Sequence, residues 1–335
     1  MKSARRMIIP ALLALFAAIG TWGCASSPQR PKNLFQESEY RKVMERQKAD
    51  MAAEDQAAKK IPEMNAEGYE KLGDRYLQQG NFELAFIQYH KSLELDPGRA
   101  RVRCKMGHLY QKKGLKEEAQ REFQEILKSD PHYAPAYEGM GQTFLSAGQL
   151  QEAEENFHKA IQINSSLWQA YNFLGIIYDR RGRPEAAIPQ YQKAISLQPK
   201  LGFLVNNLGI SLALKGEKEK ALAAFAEAIR LDPSSSKVYN NLGLVLGQME
   251  RYPEALEAFK KGGDEASAYY NLGCIYMSRG KTREAADAFE KAVEMKPGFF
   301  VRAHEKMKRA REAAQKNPPP RPDLTHLSPT PHRVF

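Results

Sequence analysis

The sequence predicts an all-α chain of seven stacked helical hairpins closed by a capping helix. Three observations carry this. Gly73, Gly107, Gly141, Gly175, Gly209 and Gly243 follow one another at intervals of 34 residues, and a seventh, Gly273, comes after 30. An alanine stands twelve residues after each glycine (Ala85, Ala119, Ala153, Ala187, Ala221, Ala255, Ala285). An aromatic stands four after each alanine (Tyr89, Phe123, Phe157, Tyr191, Phe225, Phe259, Phe289). Self-similarity at this period marks a repeat architecture, which grows in one dimension and needs no single large core. It overrides the two-domain reading that 335 residues would otherwise suggest.

Residues 1–23 read as an export signal. Lys2, Arg5 and Arg6 precede an apolar run from Met7 to Ile19, broken only by Pro10. That run is short for a bilayer span, and no later stretch is apolar enough to make one. Thr21-Trp22-Gly23-Cys24 resembles a bacterial lipoprotein box, although Trp22 is unusual there and the position usually held by Leu is Thr21. The resemblance implies lipidation at Cys24. With Ala25 following, it implies the outer membrane, facing the periplasm. The alternative is ordinary secretion with cleavage after Ala25, giving a soluble periplasmic or secreted protein. The formal charge of +10 falls to +7 when Lys2, Arg5 and Arg6 leave with the signal. For an exported chain that excess points away from nucleic acid and toward anionic lipids, glycans or acidic proteins.

Residues 24–64 read as a lipid-anchored tether, charged and marked by Pro28, Pro31 and Pro62. The repeats run over 65–299. In repeat four, Tyr171, Leu174, Gly175 and Tyr178 recur at helical spacing on helix A, and Gly182-Arg183 makes the turn. Pro184 opens helix B, and Pro199 closes it. The small Gly and Ala columns let helix backbones approach, and the aromatic column fills the space between neighbouring hairpins. Bulkier residues at the alanines would overpack the crossing at about 1–3 kcal/mol. Gly262-Gly263 breaks the sixth helix B early, and Asp264 stands ready to cap the next helix. Residues 300–315 read as the capping helix, with Lys306, Lys308, Arg309 and Arg311 outward. The proline-rich tail 316–335 reads as disordered.

These columns closely resemble the tetratricopeptide repeat family. The resemblance implies a right-handed superhelical solenoid whose helices A line a concave groove and bind protein segments. Arg103, Ser165 and Glu250 depart from its pattern, the last at the turn glycine. The shortened sixth hairpin is similar to that of tetratricopeptide lipoproteins of pilus-assembly systems.

Positions in each repeat are counted here with the recurrent glycine as position 8. Position 6 of helix A points away from that glycine and into the expected groove. Asn207, Asn241 and Asn271 occupy it in repeats five to seven, beside Ile176, Ile210 and Leu244 at position 9. An amide both donates and accepts, so such a row can satisfy an extended peptide backbone. The row is similar to the asparagine ladder of O-linked N-acetylglucosamine transferases, which holds substrate peptide. Repeats one to three instead carry Lys71, Asp74, Lys105, His108 and Gln142 along this face. A basic rim recurs at the turns, with Arg180, Arg181, Arg183, Arg279, Lys281 and Arg283 among its members. It offers an alternative function, binding of an anionic surface or cell-wall polymer.

No pattern for catalysis, metal or cofactor is found: His304-Glu305 lacks the second histidine of a zinc-protease motif. The two internal thiols, Cys104 and Cys274, lie five repeats apart, too far to pair. The expected protein is a non-enzymatic scaffold. Its partner is another envelope protein bound through an extended or helical segment, in a pilus, secretin or similar machine. No nucleic acid partner is expected.

Overall fold

A computed structural model describes residues 64–296 and 301–316, together with Lys42, Met44 and Glu45. The signal segment, Cys24, most of the tether and the tail beyond Lys316 lie outside the described residues. Those described form an all-α, tetratricopeptide-like solenoid of paired helices. In chain order these are α1 (Ala66–Gln78), α2 (Phe82–Leu95), α3 (Ala100–Lys112), α4 (Lys116–Ser129), α5 (Ala134–Ser146), α6 (Leu150–Ile163), α7 (Trp168–Arg180) and α8 (Pro184–Leu197). There follow α9 (Gly202–Lys215), α10 (Lys218–Leu231), α11 (Ser236–Gln248), α12 (Tyr252–Gly262), α13 (Glu265–Ser278), α14 (Thr282–Met295) and α15 (Val301–Lys316). They fall into two units divided at Pro199, with α1–α8 in the first and α9–α15 in the second. No described helix is long and apolar enough to cross a membrane.

The three columns meet as one motif. All seven alanines are fully buried, and all seven aromatics are at most 2% exposed. The glycine's neighbour, however, is the aromatic ring of its own hairpin. A Cβ placed on Gly73, Gly107, Gly141, Gly175, Gly209, Gly243 or Gly273 would stand 2.5–2.8 Å from that ring. The glycine is therefore small to admit a ring, and helix approach follows from that. In the second hairpin the ring of Phe123 also touches the next helix A, 2.3 Å from a Cβ on Gly139. One side chain thus joins two hairpins.

The turns need backbone that only glycine adopts freely. Gly80, Gly114, Gly148, Gly182, Gly216 and Gly280 all take positive φ. At the seventh such turn Glu250 does so, at φ 62°. The fold imposes this conformation against the preference of an L side chain.

The break in the sixth hairpin follows the sequence. Helix α12 has 11 residues where most B helices have 14. A Cβ on Gly262 would press against Asn240 and the carbonyl of Ser236, so glycine lets the end of α12 lie on the start of α11. Asp264 Oδ1 accepts the Ser267 amide at 2.9 Å and caps α13. At the C-terminal end, α15 lays Ala310 and Met307 over Phe289 and its neighbours and buries Ala303, closing the last hairpin. Lys306 departs from the outward reading: it is half-buried, with its ammonium 5.7 Å from the Tyr270 ring.

Candidate functional site

In the second unit, Asn207, Asn241 and Asn271 are all half-buried. They do not stand as a free row. Asn241 Nδ2 donates to Asn206 Oδ1 at 2.9 Å, and Asn206 Nδ2 donates to Asn207 Oδ1 at 3.4 Å. Asn206, at position 5 and buried, thus couples two amides at position 6. Position 5 is a polar column in its own right, holding Glu70, Glu138, Asn172, Asn206 and Asn240. Reading position 6 alone missed it. The signal was present in the doubled Asn206-Asn207 and Asn240-Asn241, where the first amide had no assigned work.

The apolar companions divide. Ile210 is half-buried and lies three residues beyond Asn207. Phe203, four residues before Asn207, is 46% exposed. Phe203, Asn207 and Ile210 therefore form one stripe of α9, with an aromatic, an amide and an aliphatic side chain in line. Ile176, half-buried, lies in the first unit. Leu244 is a correction: at 1% exposure it is core and cannot touch a partner. One turn on, Ile275 of α13 sits 2.3 Å from where a Cβ on Gly247 would stand. At Gly247, then, α13 lies directly on α11, the helix that carries Leu244.

In the first unit the A helices line an open cavity of about 730 Å³. Its polar wall holds Lys105, His108, Gln111, Lys112, Gln142 and Arg180, with Phe173 and leucines between them. Gln111 is fixed by donating to the Gly139 carbonyl and to Thr143 Oγ1, both at 2.7 Å. Phe173 is stacked on Phe157 with ring centroids 5.2 Å apart. Lys105 is held by Asp74 at 2.6 Å and Glu70 at 2.8 Å, and Asp74 also accepts from Tyr89 Oη at 2.7 Å. Glu138, behind Gln142, accepts its amide at 2.9 Å. Burial pushes the Glu138 carboxyl up to about 7, against that hydrogen bond. Burial likewise pushes the Cys104 thiol up to about 12, so it carries no nucleophilic thiolate at neutral pH.

Half of the basic rim is put to structural use. Arg181 pairs with Glu154, Arg279 donates to the Gln248 carbonyl, and Lys281 lies 4.8 Å from the centroid of the Tyr252 ring. Each of these contacts reaches back 27 to 31 residues, joining consecutive hairpins. Arg180 lines the cavity instead. Arg183 and Arg283 remain exposed, the former 5.6 Å from the Tyr178 ring. The rim is thus no uniform cationic edge, because half of its charges are spent on stitching neighbouring hairpins together.

A family model, the C-terminal domain of cilia and flagella-associated protein 70, matches residues 35–268, and a tetratricopeptide repeat model matches 266–299. No curated protein matches the chain. A chain of the APC/C hetero-tetramer Cut9-Hcn1 aligns with TM-score 0.56 at 20% identity, over 71% of this chain and 48% of its own. This chain therefore spans about half the length of that one. A tetratricopeptide repeat protein from Parabacteroides merdae aligns with TM-score 0.52 at 16% identity, over 73% of this chain and 98% of its own. The pilF protein of Pseudomonas aeruginosa aligns with TM-score 0.51 at 20% identity, over 64% of this chain and 96% of its own. At these identities the likeness is one of fold alone.

Proposed function

This chain belongs to the family of the cilia and flagella-associated protein 70 C-terminal domain, and from that premise we propose a protein-binding scaffold that grips an extended partner segment on its helix-A faces. The observation that carries this reading is the α9 stripe beside the amide chain. Phe203 stands 46% exposed in line with Asn207 and Ile210, next to Asn206 and Asn241. An exposed aromatic beside oriented amides suits a polypeptide, whose backbone needs donors and acceptors and whose side chains need apolar contact.

We further propose that Cys24 is lipidated and holds the scaffold at the outer membrane, facing the periplasm. The sequence Thr21-Trp22-Gly23-Cys24 supports this. The partner is then an envelope protein. A pilus or secretin client rests on the sequence resemblance alone, and the matching family is named for cilia and flagella instead.

One pull-down from crosslinked membranes tests both parts. The triple variant Asn207→Ala, Asn241→Ala, Asn271→Ala loses about 0.5–1.5 kcal/mol per amide. It is expected to retain its helical spectrum and to bind the partner at least about tenfold more weakly. Cys24→Ser is expected to move the protein to the soluble fraction. Unchanged affinity removes the amide grip, and unchanged fractionation removes the anchor.

A further inference from the structure

We propose that the cavity of the first unit is a docking site for an acidic segment of a partner protein, taken in through glutamate or aspartate side chains. The inference rests on the protein-binding reading and adds to it the chemistry of one site.

Charge complementarity favours such a segment. The wall presents Lys105, Lys112 and Arg180, and no carboxylate lines it. Acids do lie nearby, but they are already engaged. Glu70 accepts from Arg99, Arg101 and Lys105, and Asp74 accepts from Lys105 and Tyr89. Lys105 is therefore neutralised within the fold and serves as a fixed part of the wall. Lys112 and Arg180 differ. Both are exposed, and neither has a carboxylate partner among the described residues. The Lys112 ammonium rests 4.2 Å from the centroid of the Phe82 ring, which positions it without cancelling its charge. Glu138, the acid behind Gln142, is buried, is not part of the lining, and is held up to about 7 by that burial, so it carries only part of a charge at neutral pH.

The rest of the wall suits a peptide better than a lone ion. A volume of about 730 Å³ exceeds what one carboxylate needs. Phe173 and three leucines add apolar surface to the same wall, and Gln142 adds a side-chain amide. An acidic stretch with interspersed apolar residues meets all of these at once.

The test uses the full chain and three fluorescein-labelled dodecapeptides, in which alternating leucines are separated by glutamates, by glutamines or by lysines. Fluorescence anisotropy is read at low and at physiological salt. The wild type is expected to favour the glutamate peptide over the glutamine peptide by about tenfold, with the preference shrinking as salt rises. Lys112→Glu with Arg180→Glu is expected to abolish that preference and to admit the lysine peptide. Arg183→Glu with Arg283→Glu, on the rim outside the cavity, is expected to change nothing. Circular dichroism checks that both variants are folded, and Lys112→Gln with Arg180→Gln repeats the measurement with a milder change. Equal binding of the glutamate and glutamine peptides overturns the acidic preference and leaves the scaffold reading intact. Loss from the rim variant but not the cavity variant overturns it in favour of an anionic polymer on the rim. Glutamate binding that appears only when residues 24–63 are removed assigns the cavity to the chain's own tether. Failure of all three peptides contradicts the cavity as a peptide site altogether.

Discussion

Phe123→Ala is expected to cost about 3–5 kcal/mol, the range for removing a fully buried aromatic from a packed core. Phe123 is 0% exposed, and its ring lies between Gly107 of its own hairpin and Gly139 of the next. The truncation opens a space that neither backbone can fill without moving a whole helix. A partner substitution makes the claim specific. Gly139→Ala places a methyl 2.3 Å from the ring, inside any real contact distance, so it overpacks the site at about 1–3 kcal/mol. The gain in helix propensity, roughly 1 kcal/mol, offsets only part of that. In the Phe123→Ala background the methyl enters the vacated space, and Gly139→Ala should become neutral or stabilising. Denaturant unfolding of the four proteins should yield a coupling of about 1–3 kcal/mol. Additive costs would mean that the ring and the glycine do not share one lock.

Glu70→Gln is expected to destabilise by about 3 kcal/mol, the low end for breaking a buried ion pair. The Glu70 side chain is 1% exposed, and it accepts from Arg101 Nε at 2.6 Å, Lys105 Nζ at 2.8 Å and Arg99 Nη2 at 3.1 Å. The low end applies because Arg101 is 67% exposed and recovers water when its partner goes. Burial pushes the carboxyl up, but hydrogen bonds from Arg101 and Lys105 and their charges outweigh it and hold it at about 2. The sign follows from the lowered value. The folded state binds its proton more weakly than the unfolded chain, whose value is near 4.5. The stabilisation is therefore fully present above 4.5 and disappears as pH falls through about 2. Urea midpoints of wild type and variant should differ by a constant amount from neutral pH down to about 5, then converge. Hydrogen exchange should place the weakening in α1 and α2, since Glu70 joins the first hairpin to the second. A gap independent of pH would assign the cost to packing and not to charge.

How far the sequence carries can be argued from these residues. The periodic columns were legible because each hairpin repeats the same packing problem and solves it with the same residue types. The early stop at Gly262 and the cap at Asp264 were legible because each acts through its own backbone. What escaped depends on a neighbour. Positions 5 and 6 are one helical step apart, about 100°, and both border the groove. Only the approach of the next hairpin decides that Asn206 is buried while Asn207 is half-exposed. Leu244 was assigned to the groove by its register and is enclosed in the core at 1% exposure, which its own helix does not reveal. Arg181, Arg279 and Lys281 looked like a rim because they recur, whereas their partners, Glu154, the Gln248 carbonyl and Tyr252, do not form an evident column. The cavity was half visible. Lys105, His108 and Gln142 were placed on the groove face by register, but Arg180 was read as rim and Phe173 was not singled out.

The account stands on one claim, that a polypeptide lies against the helix-A faces. Photo-crosslinking from single sites tests it most directly, with benzoylphenylalanine replacing Phe203, Phe173 or Leu95 in otherwise unaltered full-length protein in membranes. Leu95 ends a B helix and is 59% exposed, so it controls for accessibility alone. The account predicts a discrete crosslinked polypeptide from positions 203 and 173 and none from 95. Equal capture from all three, or capture from position 95 only, would contradict it.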